Sequence, residues 1–303
     1  MKGIGLLTLI SALFGIAIAL QHVRDASFPP PAIENDAALY LTSGQSVRRL
    51  SVAYQALAAD VYWIRAIQHY GGTKRAIAGE QEAGGATGPN VAGSRHRYDL
   101  LYPLLDLTTT LDPRFNIAYR FGAIFLAEPY PGGAGRPDLA IALLEKGLRE
   151  RPDKWEYMQD IGFVHYWWRH DYPAAAAWFR RAGEAPGGPW WLRSLAATTL
   201  AQGGDRQSSR LIWESLRESD NDWLRREADR RLAQLKALDD VDRLQLEVNT
   251  FTERTGQRPT SWRVVPLDPT GTPYELDTAG RVRLSAKSPL YPLPTEQPAR
   301  PPS

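Results

Sequence analysis

Cysteine is absent from this chain of 303 residues. The absence excludes disulfides, thiolate catalysis, zinc–thiolate sites and a lipidated N-terminal cysteine. A chain without thiols can also stay in an oxidising compartment without mispairing.

An excess of charge of either sign is also missing. The 36 basic residues nearly balance 34 acidic ones, for a net charge of +2. Nucleic-acid binding needs a clustered basic surface, so no nucleic-acid partner is expected. The content of 43% hydrophobic and 23% charged residues is that of a folded protein.

Motifs for catalysis are lacking as well. The sequence has no nucleophile elbow, phosphate loop or metalloprotease helix. His165 and His170 are five residues apart and so lie on different faces of a helix, which disfavours a shared metal. We therefore predict no catalytic, cofactor-binding or metal-binding residue, and a protein that is not an enzyme.

One long uncharged run is present, at residues 3–20, after Lys2. Eighteen helical residues span about 27 Å, enough for the hydrocarbon core of a bilayer. Residues 1–24 are therefore predicted to be a transmembrane anchor in the inner membrane, with the body on the periplasmic side. The alternative is a cleaved signal peptide, for which Ala17 and Ala19 offer a small-residue cleavage site.

The remaining chain divides by composition. Residues 25–44 form a Pro-rich spacer, and residues 45–256 are mostly amphipathic helix, interrupted by a glycine-rich flexible loop at 71–97. Residues 257–290 form a Pro/Gly-rich appendage with one β-hairpin, and the polar residues 291–303 are expected to be a disordered tail. The first helix of the body is indicated by apolar residues recurring every three or four positions: Leu50, Tyr54, Leu57, Val61, Ile64 and Ile67.

A half-pattern recurs within the helical region. It consists of a small residue, a large apolar residue four later, a small residue three later and a proline about five further on. The copies are Ala140, Leu144, Gly147 and Pro152; Ala175, Phe179, Ala182 and Pro186; and, with a large first residue, Leu101, Leu105, Thr108 and Pro113. Phe121-Gly122 and Ile161-Gly162 stand in the preceding helices.

At these residues the chain resembles the tetratricopeptide repeat family, over roughly residues 45–234. The resemblance implies an all-α fold, a stack of helical hairpins (an α-solenoid) with a groove that binds peptides or helices. The segment from Asp268 to Tyr274 is similar to a Pro/Gly turn of pseudopilin-type secretion proteins, but it is too short to indicate a function.

These features predict a protein-binding scaffold or adaptor of a membrane-associated assembly of the secretion, pilus or transport type. The lipid bilayer would be contacted through residues 3–20. The alternatives are an envelope enzyme or binding protein acting on glycan or peptidoglycan, and a permanent subunit of a larger membrane complex. The predicted partner-binding residues are aromatic or basic: Trp63, Arg65, Tyr119, Arg120, Tyr157, His165, Trp167, Trp168, Trp190 and Trp191.

Overall fold

The computed structural model describes residues 2–27, 44–82, 96–259 and 261–297, without the side chains of residues 2–11, 25, 26 and 96. Within these ranges the chain is mostly helical, which confirms the all-α prediction. The helices are α1 (Lys2–Ser27), α2 (Gly44–Ser51), α3 (Gln55–Glu82), α4 (Leu101–Leu111), α5 (Asn116–Ala127), α6 (Pro137–Glu150), α7 (Trp155–Phe163), α8 (Tyr172–Glu184), α9 (Trp191–Gln202), α10 (Arg206–Arg217) and α11 (Asp222–Thr255). Short 3-10 turns occupy Val52–Tyr54 and His96–Tyr98, and a π-helix occupies Val164–Arg169.

Consecutive helices pack against one another from α3 onward. The most extensive contact is between α8 and α9, followed by α3 with α4, α5 with α6, α7 with α8, α9 with α10, and α10 with α11. Contacts of α4 with α5 and of α6 with α7 are less extensive. The body is therefore a row of helices in which each helix packs on the next.

Local side chains define several helix ends. Asp171 accepts a hydrogen bond from the Ala174 amide at the start of α8, and Asp205 accepts one from the Ser208 amide at the start of α10. Each carboxylate satisfies an amide that has no partner within its helix. Gly256 ends α11 with φ +70°, a left-handed conformation that glycine adopts without steric cost.

The recurring small and large residues of the half-pattern all lie in the core. Leu101, Leu105, Thr108, Ala140, Leu144, Gly147, Ala175, Phe179 and Ala182 are all buried. The glycines mark close helix crossings: a Cβ at Gly122 would lie 2.8 Å from Leu105 Cδ2, and one at Gly162 would lie 2.5 Å from Phe179 Cε1. The spacing therefore arises from the packing of helix on helix.

The N-terminal helix α1 covers the predicted anchor. Among the residues that the structure describes, no helix combines the length and the apolar character needed to cross a membrane. The side chains of residues 1–11, which belong to the predicted anchor, lie outside the described residues. Most of the predicted spacer, residues 28–43, also lies outside them.

The predicted loop at 71–97 is wrong in its first half, because α3 continues to Glu82. Thr73 and Ile77 are buried against the body on this part of α3. Packing of this kind outweighs the cost of glycine in a helix, which is about 1 kcal/mol for each residue. Residues 83–95 lie outside the described part of the chain, and Arg97 beyond them pairs with Glu80 at 2.9 Å.

The C-terminal appendage contains the hairpin expected there. Strands β1 (Glu275–Leu276) and β2 (Val282–Arg283) are antiparallel, with Leu276 opposite Val282. Asp268 organises the preceding turn: its Oδ1 accepts hydrogen bonds from the Thr270 and Thr272 amides, and Ser288 donates to its Oδ2.

The expectation of a disordered tail is corrected for residues 291–297. The Gln297 amide donates to the Gln202 carbonyl at 2.9 Å, and Gln234 Nε2 donates to the Pro292 carbonyl at 2.9 Å. Arg206 binds both carboxylate oxygens of Glu296. Specific polar contacts therefore hold a segment whose composition suggests no packing. Residues 298–303 lie outside the described part.

Candidate protein-binding surface

The apolar residues that indicate the first helix of the body face outward. Leu50, Tyr54, Leu57, Val61, Ile64 and Ile67 each expose between 41% and 72% of their surface. The buried face of α3 instead carries mostly small residues, Ala59, Ala66 and Thr73, together with Ile77. An amphipathic helix ordinarily buries its large apolar stripe, so α3 presents to solvent the residues that another surface would cover.

A second uncovered stripe lies on α5. Ile117, Phe121 and Ile124 are spaced by four and three residues and are each about half exposed. The opposite side of α5 is occupied by the core residues Ala118, Tyr119, Gly122 and Ala123. Both α3 and α5 are therefore apolar on two sides.

An aromatic seam joins the two helices. The Trp63 ring centroid lies 5.9 Å from that of Phe115 and 6.3 Å from that of Phe125, while Tyr70 stacks on Phe125 at 4.1 Å. The Tyr70 hydroxyl donates a hydrogen bond to Glu128 Oε2 at 2.8 Å, and the Gly132 carbonyl oxygen lies 2.9 Å from the same hydroxyl oxygen. Burial and the Glu128 carboxylate raise the pKa of Tyr70, so it keeps its proton. The seam is thus built of uncharged rings, with the Lys74–Glu128 ion pair beside Tyr70.

The exposed stripes flank this seam. Ile67 lies one turn after Trp63, and Phe121 lies one turn before Phe125 with ring centroids 6.4 Å apart. We call the exposed residues on both sides of the seam the α3–α5 face: Leu57, Val61, Ile64, Ile67, Ile117, Phe121 and Ile124. Contiguous exposed apolar residues of this kind mark interaction sites in soluble proteins.

Three predicted partner-binding residues are inside the body. Tyr119 and Tyr157 are fully buried with ring centroids 5.1 Å apart, where α5 meets α7. His165 is 9% exposed, in the π-helix, and burial lowers its pKa while Asp171 opposes that change. The sequence-based assignment is corrected here: these rings fill the helix interfaces and offer no surface to a partner.

Arg120 forms an ion pair between α5 and α7. Its Nε and Nη2 donate to Asp160 at 2.6 and 3.0 Å, and the Asp160 side chain is only 16% exposed. Burial raises the pKa of the Asp160 carboxyl, and both hydrogen bonds from Arg120 act against that rise. The bidentate geometry links α5 to α7.

The remaining predicted residues are spread over three places. Trp63 belongs to the aromatic seam beneath the α3–α5 face. Arg65 is on the same helix, with its guanidinium 5.8 Å from the Tyr62 ring centroid. Exposed Trp167 stacks on Phe163 at 4.6 Å, whereas Trp168 packs partly into the core.

Trp190 and Trp191 are exposed at the start of α9. The Trp190 ring contacts the equally exposed Trp223 of α11, with ring centroids 5.5 Å apart. The predicted residues therefore do not converge on one site, although three small aromatic surfaces result.

Sequence reasoning missed Ile117, Phe121 and Ile124. Their signal is present in the sequence, because the stripe at i, i+4 and i+7 stands on the opposite side of α5 from Ala118 and Gly122. A helix with small residues on one face and large apolar residues on the other packs closely through the small ones.

Groups that could hold a metal are absent from the described residues. Both carboxylate oxygens of Asp268 accept hydrogen bonds from N–H and O–H donors of its own turn and of Ser288. Comparisons of the chain with protein-family models, curated proteins and solved structures gave no match. The surface must therefore be interpreted from its own chemistry.

Proposed function

We propose that this protein is a binding scaffold or adaptor of a membrane-associated envelope assembly, and that it binds its partner through the α3–α5 face. The observation that carries the proposal is the exposure of seven large apolar side chains on α3 and α5, two helices that the aromatic seam joins. Attachment through residues 3–20, with the body on the extracytoplasmic side, belongs to the same proposal and is supported by the uncharged N-terminal run.

The partner proposed for this face is an apolar or amphipathic helix of another protein. Leu57, Val61 and Ile64 form one ridge, and Ile117, Phe121 and Ile124 form another, each with helical spacing. Ridges of this spacing accept the side chains of a helix lying between them. An extended strand fits less well, because the backbone groups of α3 and α5 already bond within their helices and leave no edge to pair with.

Membership of the tetratricopeptide repeat family is part of the proposal. It is supported by the burial of the recurring small and large residues, and by the packing of each helix on the next. The aromatic seam between α3 and α5 lies beneath the proposed face.

The state of Asp160 supports binding over glycan hydrolysis. A general acid needs a protonated carboxyl free to reach the substrate. Burial raises the pKa of Asp160 in the region rich in tryptophan, but both of its oxygens accept hydrogen bonds from Arg120, so the carboxyl is not free to reach a substrate. Its geometry is that of a link between helices.

The test uses photocrosslinking in native membranes. A photoreactive phenylalanine analogue replaces Phe121 in the full chain, or Leu246 on α11 as a control of similar exposure. We expect one discrete protein adduct from position 121 that is lost when Ile64 is changed to Ser, and no adduct from position 246.

Equal labelling from both positions, or none from position 121, would contradict the proposal. Recovery of that adduct in a fixed ratio to the chain after detergent extraction would identify a permanent subunit, since lasting interfaces have apolar cores of this kind. Loss of the adduct on Ile64→Ser must occur with an unchanged circular dichroism spectrum.

A further inference from the structure

The turn between α2 and α3 combines basic and apolar side chains on its exposed side. We call Arg48, Arg49, Leu50, Val52 and Tyr54 the basic elbow; all five are exposed. Leu50, Val52 and Tyr54 each expose more than 70% of their surface, more than any residue of the α3–α5 face. Large apolar side chains are rarely left so open beside two arginines unless something covers them.

The elbow is firmly attached to the body. Val47 of α2 packs in one cluster with Ala59 of α3 and with Leu107 and Leu111 of α4. Gly44 lies so close to α4 that a Cβ there would be 2.9 Å from Thr110 Cγ2. The exposure therefore belongs to a fixed surface.

The backbone at the elbow is strained. Val52 has φ +43°, in the left-handed region that β-branched residues almost never adopt. Strain of this kind costs about 1–3 kcal/mol and is concentrated at sites with a function. At the elbow this strain occurs at the break between α2 and α3, where the Val52 side chain is exposed to solvent.

The two arginines of the elbow form no ion pair with any residue that the structure describes. No acidic residue occurs between positions 44 and 59. Elsewhere in the body, Arg120, Arg206 and Arg231 each bind a carboxylate at hydrogen-bond distance. Within the described part of the chain, both guanidinium groups of the elbow are therefore available to an external anion.

The elbow has the composition of segments that lie in the interface of an anionic bilayer. Such segments combine guanidinium groups and tyrosine with exposed aliphatic side chains. The apolar side chains enter the headgroup boundary, and the arginines contact lipid phosphates. Tyrosine is enriched at the same depth. An acidic protein groove would match the arginines, but it would not match Leu50, Val52 and Tyr54 in the same short turn.

Chain length agrees with this location. Residues 28–43 separate α1 from α2, and sixteen residues reach at most about 55 Å when fully extended. If residues 3–20 lie in the bilayer, the elbow stays within reach of the same membrane surface. We propose that the basic elbow binds the headgroup region of an anionic bilayer and holds the repeat stack against it. This inference rests on the membrane attachment in the proposed function.

The absence of cysteine makes a direct test possible, because one introduced thiol is the only thiol. Full-length chains with Val52→Cys, Ile10→Cys or Leu211→Cys carry an environment-sensitive fluorophore in vesicles of phosphatidylcholine with or without one quarter phosphatidylglycerol. Leu211 on α10 is a matched exposed apolar control. Lipids with a spin label near the headgroup serve as quenchers.

We expect strong quenching at position 52 in vesicles with phosphatidylglycerol, and quenching at position 211 in neither. Arg48→Gln and Arg49→Gln together should weaken insertion of the elbow about 25-fold, at about fivefold for each charge near an anionic surface. Quenching at position 52 that does not exceed that at position 211 overturns the proposal.

The label at position 10 distinguishes the membrane anchor of the proposed function from membrane binding by the basic elbow. Quenching by deep labels at position 10 without quenching at position 52 leaves the anchor in place and refutes the elbow. Quenching at position 52 alone supports the elbow and refutes the anchor. Quenching at position 52 that persists equally in uncharged vesicles and in the double Gln variant contradicts the role of the two arginines.

Discussion

The close approach of α7 to α8 at Gly162 gives the sharpest test of the packing. An ideal Cβ at this position lies 2.5 Å from Phe179 Cε1 and 2.6 Å from its Cδ1, about 1 Å inside ordinary contact. The Phe179 ring is fully buried and meets the Phe163 ring at 5.0 Å, so it has no free space to enter. Gly162→Ala must therefore displace a helix or distort a rotamer.

Two opposing contributions decide whether Gly162→Ala lowers or raises the free energy of unfolding. Overpacking a core costs about 1–3 kcal/mol, and the absence of space beside Phe179 places this site at the upper end. Replacing a helical glycine by alanine recovers about 1 kcal/mol. We expect a net loss of about 2 kcal/mol, or a melting temperature lower by about 4–8 °C for a body of this size.

Gly72→Ala is the matched control. Gly72 is also within a helix, α3, but nothing lies within 4 Å of a Cβ built there. This variant should gain about 1 kcal/mol, so that the two identical substitutions differ by about 3 kcal/mol in urea unfolding. Equal stabilities would refute the reasoning. Phe179→Leu, which removes ring atoms at the clash, should couple favourably with Gly162→Ala in a double-mutant cycle.

Three further predictions concern polar contacts. Burial would raise the pKa of Asp268, but the hydrogen bonds to its carboxylate outweigh burial and lower the pKa. The stabilisation that the carboxylate provides is therefore lost as the pH falls below about 4. Asp268→Asn should lower the free energy of unfolding by about 1–2 kcal/mol at pH 7 and reduce its dependence on acid pH in urea unfolding. Burial lowers the pKa of His165, so stability should fall as the pH drops below about 6.5, and His165→Gln should remove this slope; an unchanged slope would contradict it. Arg206→Gln should increase hydrogen exchange at the Gln297 amide, whereas Arg243→Gln, at an exposed pair, should not.

The helical stack follows from local patterns in the sequence. The spacing of Ala140, Leu144 and Gly147, and of the matching residues in the other copies of the half-pattern, reflects contacts between neighbouring helices. The buried face of these helices can therefore be predicted without knowledge of the other helices. The hairpin at 275–283 follows from its turn residues for the same reason. Interactions between distant segments are different: nothing in the tail predicts that Glu296 binds Arg206, 90 positions earlier.

The surface was harder to predict because aromatic character does not distinguish a core from an interface. Tyr119 and Tyr157 were expected to contact a partner, yet they fill the space between α5 and α7. On α3 the large apolar residues are outside because Ala59 and Ala66 allow the helix to approach α4 closely. Which of two apolar faces is buried depends on the neighbouring helix, and the pattern of one helix does not contain that information.

The two ends of the stack differ. At one end α11 packs on α10 through Trp213 and Leu216, and the appendage covers its continuation through Tyr274, Val282 and Leu284. At the other end, α3 leaves Leu57, Val61 and Ile64 uncovered.

A repeat array grows or joins others through uncapped ends. In the proposed complex, the hairpin and its flanking turns would keep part of α11 from a partner, whereas the exposed side chains of α3 would stay available to one.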